Sequence, residues 1–193
     1  MDNQDLISNM SKQLQAVIKK WEKEDIYAIS LLINDYCDNP CQPIVTLGYN
    51  TESQYRRSLE YAVNEKAARW DYAYWLHNRE YVFGVNDTLA FTVAWLKQNQ
   101  LPYFPTVDYK FTIPKQVDRE LLEKITSTYL KAVIDMVKDW HNSGFLVTTF
   151  SKSIVVIIHE LEYHEEILTQ NLKANPQENI KEFADWFSSW FYY

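Results

Sequence analysis

The chain has 193 residues, a length that buries roughly 70% of the unfolded surface on folding, so the core requires neither a disulfide nor a metal. Net charge is -7 at pH 7, and it is uneven: from His159 to Tyr193 seven acidic residues stand against Lys173 and Lys181. An acidic surface repels phosphate backbones, which argues against nucleic acid as a partner, and the scattered Gly48, Gly84 and Gly144 leave no glycine-rich phosphate loop.

The first residues, M-D-N-Q-D-L-I-S-N-M, lack the basic start and apolar stretch of a secretory signal. No run approaches the ~20 apolar residues of a membrane span, so a soluble cytoplasmic protein of one domain, residues 1–193, is expected. Leu6, Met10, Leu14, Val17, Ile18 and Trp21 follow the three-and-four spacing of one helix face. Ile26 to Ile33 is an apolar run rich in β-branched residues. Asp35, Asp38, Asn39, Pro40 and Pro43 then mark a reversal that brings Ile44 to Leu47 back beside it as the central hairpin of a sheet.

Thr51 opens T-E-S-Q, a capping box in which Gln54 would reach back to the Thr51 amide, with Tyr55, Leu59, Ala62, Val63 and Ala67 as the buried stripe of the helix. Arg69 to Trp75, R-W-D-Y-A-Y-W, is the most aromatic stretch. Arg79 to Phe83 suits a short strand before Gly84, and Asp87 an N-cap for a helix carrying Leu89, Val93 and Leu96. Pro102 and Pro105 end that helix, and Leu101 to Lys115 reads as an ordered crossing loop.

Asp118 caps the strongest helical pattern, Leu121 through Trp140, which stops before Gly144 and should lie across the sheet. Ile154 to Ile158 suits a buried strand. Asn175, Pro176 and Glu178 combine an N-cap, a first-turn proline and a capping-box acid ahead of a last helix that docks through Ile180, Phe183, Ala184, Phe187 and Trp190. The sum is an α+β fold, a small and largely antiparallel sheet covered by several helices.

Chemistry is harder to find. His159 and His164 in H-E-L-E-Y-H are five apart, about 140° around a helix, so they do not make the i, i+4 zinc pair. Cys37 and Cys41 have no further thiol or nearby histidine, which points to two reduced thiols and no metal site. Asp35 and Asp38 beside Cys37 would raise a thiol pKa rather than depress it, and Ser151 and Ser153 have no nucleophile elbow around them. No catalytic residue and no cofactor is indicated.

The binding candidates are Arg69, Asp71 and Trp75, where a guanidinium beside indoles suits either a buried lock or a recognition surface, together with the turn acid Asp35. As a lock, Arg69 would stack on Trp70 or Trp75 and pair with a buried carboxylate, and its loss would cost roughly 3 kcal/mol or more. The expected function is a non-catalytic domain that binds one protein partner, of toxin-immunity type. The alternative is an enzyme whose pocket the sequence does not reveal. Composition leaves the oligomeric state open.

The order of I-Y-A-I-S-L-L-I-N-D (Ile26 to Asp35), R-W-D-Y-A-Y-W (Arg69 to Trp75) and L-K-A-N-P (Leu172 to Pro176) resembles a bacterial single-domain family of unknown function. That family has an I-Y-A-x-x-L strand, an R-W-x-x-x-x-W element and an N-P helix start. The resemblance implies a fold and no catalytic residues.

Overall fold

The computed structural model describes residues 3–106 and 117–191, so the second half of the expected Leu101 to Lys115 loop lies outside the described residues. The fold is α+β, built on a four-stranded mixed sheet. Strand β1 (Ile26–Tyr36) pairs antiparallel with β2 (Asn39–Thr51), β2 pairs antiparallel with β3 (Tyr81–Phe83), and β4 (Val155–His159) adds parallel to β1, giving the order β3-β2-β1-β4.

The hairpin strands run further than their apolar cores. Reversal occurs only at Cys37 and Asp38, both at positive φ (51° and 58°). Pro40 and Pro43 lie inside β2 rather than in the turn. They are tolerated there because β3 pairs only with Val45 to Leu47 and leaves the edge beside them without a ladder to break.

Alternation along the strands divides the core in two. Ile29, Leu31, Ile33, Val45, Leu47, Val156 and Ile158 face one side, covered by α1 (Asn3–Ile18), α4 (Leu89–Gln98) and the long α5 (Arg119–Asn142). On α1 the buried stripe is Leu6, Met10, Leu14 and Ile18, and on α5 it includes Ile125, Tyr129, Val133, Met136, Val137 and Trp140. Asp118 caps α5 by accepting from the Leu121 N–H (2.9 Å), and Gly144 leaves it at φ 72° before α6 (Phe145–Phe150).

The opposite side carries Ala28, Val155 and Ile157, packed on Trp70, Trp75 and the Ile180, Phe183, Trp186 and Phe187 stripe of α8 (Gln177–Phe191). A register irregularity between Ile26 and Ala28 turns Tyr27 onto this side as well. Trp190 does not join the docked stripe: it is 52% exposed, and Trp186 fills the buried position.

Helix α7 (Glu165–Ala174) closes the outer edge of β4 by an uncommon device. Asn171 accepts from the Ile158 N–H (2.8 Å) and donates to the Ile158 carbonyl (2.7 Å), and Asn175 does the same at Val156 (2.9 and 2.8 Å). Four residues of helix rise ~6 Å and two residues of strand ~6.6 Å, so two asparagines an α-turn apart meet alternate peptides of an edge strand. Asn175 is therefore spent on the sheet edge and does not cap α8, contrary to the sequence expectation. The pairing removes the exposed ladder that would otherwise invite another strand.

Between Thr51 and Trp75 the expected single helix is two short ones, α2 (Glu52–Ser58) and α3 (Glu65–Trp70). Thr51 does cap α2, accepting from the Gln54 N–H (3.0 Å). The Gln54 side chain, however, turns to Ser58, Tyr61 and the Tyr74 carbonyl instead of reaching back. The break leaves Leu59 and Val63 outside the core, with Val63 79% exposed. Asp87 lies in a short 3-10 turn and does not cap α4. No described helix is long and apolar enough to cross a membrane.

Candidate functional site

The second face of the sheet changes character along β1. Ala28 is packed under Trp70 and Trp75, but the next residues pointing the same way are Ser30, Leu32 and Asn34, with Thr46 opposite Leu32 on β2 and His159 at the end of β4. Above Leu32, Asn34 and Thr46 lies an open cleft of about 590 Å3. Two atoms buried in its floor, Asn34 Oδ1 and Thr46 Oγ1, have no hydrogen-bond partner among the described residues, and Thr46 is 3% exposed. Buried polar atoms are nearly always paired, so two orphans in one cleft need a reason.

The wall of the cleft comes from the aromatic segment. Asp71 Oδ1 accepts from the Ala73 N–H (2.9 Å) and so starts a 3-10 turn over Tyr72–Tyr74, whose last carbonyl is held by Gln54 and Ser58. Trp75 is buried and donates from Nε1 to the Arg69 carbonyl (2.9 Å), which also accepts from the Tyr27 hydroxyl. That carbonyl ties the turn to the sheet. The following loop passes directly over β2: a Cβ on Gly48 would sit 2.6 Å from Asn78 Oδ1 and 2.7 Å from the Asn78 carbonyl oxygen. Only glycine permits this approach. The loop in turn brings His77 and Arg79 to the mouth of the cleft. Arg79 has no carboxylate within ion-pair reach among the described residues. Burial raises the Tyr72 phenol, and the Arg79 charge opposes that rise. Leu161, 72% exposed, with Tyr163 and Trp190, completes the rim.

Beneath Tyr72 sits an arrangement that resembles a nucleophile and base. Ser30 Oγ lies 2.8 Å from His159 Nε2, and His159 Nδ1 lies 3.0 Å from the Glu160 carbonyl. A carbonyl can only accept, so Nδ1 carries the proton and Nε2 accepts from the Ser30 hydroxyl. Burial holds His159 down at about 4. His159 is 0% exposed, with the Tyr72 ring centred 4.2 Å away on it, and Ser30 is buried too. The pair is sealed from the cleft by Tyr72, which itself lies between His159 and His77 (ring centroids 4.6 Å). His159 thus ends a buried strand instead of leading out of it. His164 pairs with Glu160 and Glu166 at the surface, and no group of three metal-binding side chains gathers among the described residues.

The sequence candidates are scattered. Asp71 lines the cleft, and Trp75 supports its wall from below. Arg69 points away into a separate shallow cleft with Glu52, Glu178 and Glu182. Its guanidinium makes a two-pronged pair with Glu52 (3.1 and 3.0 Å) and lies over the Tyr27 ring at 4.2 Å and the Trp70 ring at 5.4 Å, not on Trp75. Asp35 stands on the opposite face of the sheet from Asn34. It is exposed by surface area while its carboxyl is crowded; that crowding, then Glu160 and Asp38, raise it to about 6. Its exposure marks Asp35 as no enclosed acid. Cys37 and Cys41 are both unbridged, and the Cys41 thiol is pushed up, first by burial and then by Asp35.

Residues that local sequence reasoning passes over, Asn34, Thr46, Tyr72, His77 and Arg79, make the cleft. One signal for them was available: Asn34 and Thr46 are polar positions on a strand face that is otherwise buried. A larger groove of about 900 Å3 runs between α1 and α5, but its lysines and acids come from two neighbouring helix surfaces and converge on nothing. No protein-family model, no curated protein and no solved structure matches the chain, so what it does must be argued from this cleft alone.

Proposed function

We propose that this is a non-catalytic protein-binding domain that engages one partner through the cleft above Leu32, Asn34 and Thr46. The observation that carries the reading is the composition of the mouth: exposed Trp190 and Leu161 and the cation of Arg79, which has no carboxylate partner among the described residues, surround a floor of Leu32, Asn34 and Thr46. Trp, Tyr and Arg around a desolvated pocket are the residues that dominate binding energy at protein interfaces. The overall charge of -7 favours encounter with a basic partner, which is the form a toxin-immunity role would take. For the enzyme alternative the candidate among the described residues is Ser30 with His159, and Tyr72 closes it off from any substrate in the cleft.

The test compares proteins retained from the source cell by the wild type with those retained by Arg79→Glu and Trp190→Ala, each variant first shown to fold. One protein held by the wild type and lost from both variants is the expected result, confirmed by titration of the purified pair. Equal retention by all three would overturn the reading. A hydrolytic activity abolished by Ser30→Ala would replace it with the enzyme alternative.

A further inference from the structure

We propose that the apolar ridge formed by Leu59, Tyr61 and Val63 between α2 and α3, and by Leu76 after the 3-10 turn, is a docking surface for a second copy of this chain. The inference goes beyond the binding function proposed above and uses none of the residues that line its cleft. All four side chains are exposed, Val63 at 79% and Tyr61 at 56%, yet the loops that carry them are tied down. Ser58 Oγ and Gln54 Nε2 both donate to the Tyr74 carbonyl (2.8 and 3.0 Å), and the Tyr61 hydroxyl pairs with Ser58 Oγ (3.1 Å). The Tyr61 and Tyr74 rings stand 5.8 Å apart as a result. The Tyr61 and Ala62 N–H groups return to the Ser58 carbonyl (3.1 and 2.9 Å). Buried Gln54 and Ser58 thus fix two loops with their apolar groups turned outward. That is preorganisation, which lowers the entropic cost of docking.

Charge decides what covers the ridge. Residues 52–80, which carry it, hold five lysines and arginines, from Arg56 to Arg79, and five carboxylates, from Glu52 to Glu80, whereas the whole chain stands at -7. The entire acidic excess therefore lies outside this segment. Two copies of an acidic chain repel each other, and they approach with least repulsion where the charges of each are balanced and the surface is apolar. A lipid headgroup layer or a nucleic acid would call for a cationic surround, and a basic protein for an acidic one, so neither matches a balanced segment. A twofold axis through the ridge sets each apolar side chain against the same patch on the other copy, so the chain needs no second complementary surface.

The experiment follows the mass of the purified full chain by sedimentation equilibrium, from about 1 to 200 µM and at about 50 and 500 mM salt. The expected result is a reversible monomer–dimer equilibrium that tightens at the higher salt, because screening relieves the repulsion between two chains of -7 and leaves apolar contact intact. Val63→Asp should weaken the dimer at least about tenfold. Val63 lies outside the core, so this variant should keep the circular dichroism and melting temperature of the wild type. Val147→Asp, at an exposed apolar position on α6 outside the ridge, should leave the dimer unchanged. A monomer under every condition, a dimer that loosens with salt, a dimer indifferent to Val63→Asp, or one weakened equally by Val147→Asp would each overturn the proposal. A monomer whose Val63→Asp variant loses a protein retained from the source cell by the wild type would overturn it too, and would assign the ridge to that protein. Retention through Arg79 and Trp190 is read separately, so either reading can fail without the other.

Discussion

The two faces of this sheet are made by the same strands, yet they are finished differently. On the α1, α4 and α5 side each inward position along β1 is aliphatic from Ile29 to Ile33, and the helices cover it completely. On the other side the cluster of aliphatic and aromatic residues ends at Ala28, Val155 and Ile157, and beyond it Leu32 lies among Ser30, Asn34, Thr46 and His159. Stability alone accounts for the first face. Both faces bury polar atoms without partners among the described residues, Trp21 Nε1, Thr92 Oγ1 and Tyr129 Oη on the first, but on the second Asn34 and Thr46 also line an open cleft, which stability does not account for. A fold that can pack one face this fully has no packing reason to leave the other open, which is why the difference locates the site.

The largest effect that would test the contrast lies on the closed face. Leu31 is 0% exposed in the core of the closed face, so Leu31→Ala should cost about 4 kcal/mol through lost burial and an unfilled cavity. Chemical denaturation would show it as a lower midpoint at unchanged slope. A loss under about 1 kcal/mol would mean that this face is far looser than its burial implies.

Next in size is the pH response of His159 on the open face. Its folded pKa, about 4, lies below the ~6.5 of an unfolded histidine. Above ~6.5 both states are neutral and nothing is lost; as pH falls the unfolded chain takes up the proton first, so stability drops between ~6.5 and 4, by about 3 kcal/mol at the lower end. Asp35, raised to about 6, acts in the opposite sense, because the folded state then binds its proton first. The histidine contribution is therefore read as the difference between wild type and His159→Gln across that range. Parallel pH profiles for the two proteins would show that His159 is not held neutral by the fold.

Smaller again is the cost of losing Arg69. Its pair with Glu52 is partly exposed, with side-chain exposures of 25% and 31%, and the carbonyl that organises Tyr27 and Trp75 belongs to the backbone. Arg69→Ala should cost about 2 kcal/mol, combining a screened ion pair with the cation over Tyr27. That lies between the full lock and the free recognition patch that the sequence pattern allows. A loss above about 4 kcal/mol would require the buried-charge account after all.

What the sequence made legible follows from how local each signal is. The hairpin, β4, α1, α5 and α8 declare themselves through periodicity, because a buried face written at 2.0 or 3.6 residues needs no knowledge of its partner. The end of a helix is less local. Leu59 and Val63 continue an apolar spacing, but α2 stops at Ser58 because Gln54 and Ser58 bond the Tyr74 carbonyl, a contact sixteen to twenty residues away. The same limit hid the cleft. R-W-D-Y-A-Y-W was visible as a cluster, yet whether Arg69 or Tyr72 faces the site depends on Trp75 reaching the Arg69 carbonyl and on Gly48 admitting Asn78. Asn175 misleads for a related reason, since an asparagine before proline signals a helix cap and nothing local says that a strand edge will claim it first.

The smallest expected effect has the opposite sign and bears most directly on why the second face was left polar. Thr46→Val keeps shape and volume while removing a buried hydroxyl that has no partner. On the closed face trimming an apolar side chain destabilises; here, replacing a polar atom with a methyl should leave stability unchanged or raise it by up to about 1 kcal/mol, because an unpaired buried group is desolvated without return. Asn34→Leu should behave similarly, its Oδ1 being buried and unpartnered as well. A site kept for recognition is one where the unliganded fold tolerates such a cost, so stabilisation by these changes together with weaker ligand binding would tie the orphaned atoms to function. The outcome that breaks the argument is a loss of about 1 kcal/mol or more from Thr46→Val in thermal and denaturant unfolding. It would mean that the hydroxyl already has a partner in the folded protein and that the second face is, like the first, arranged for stability.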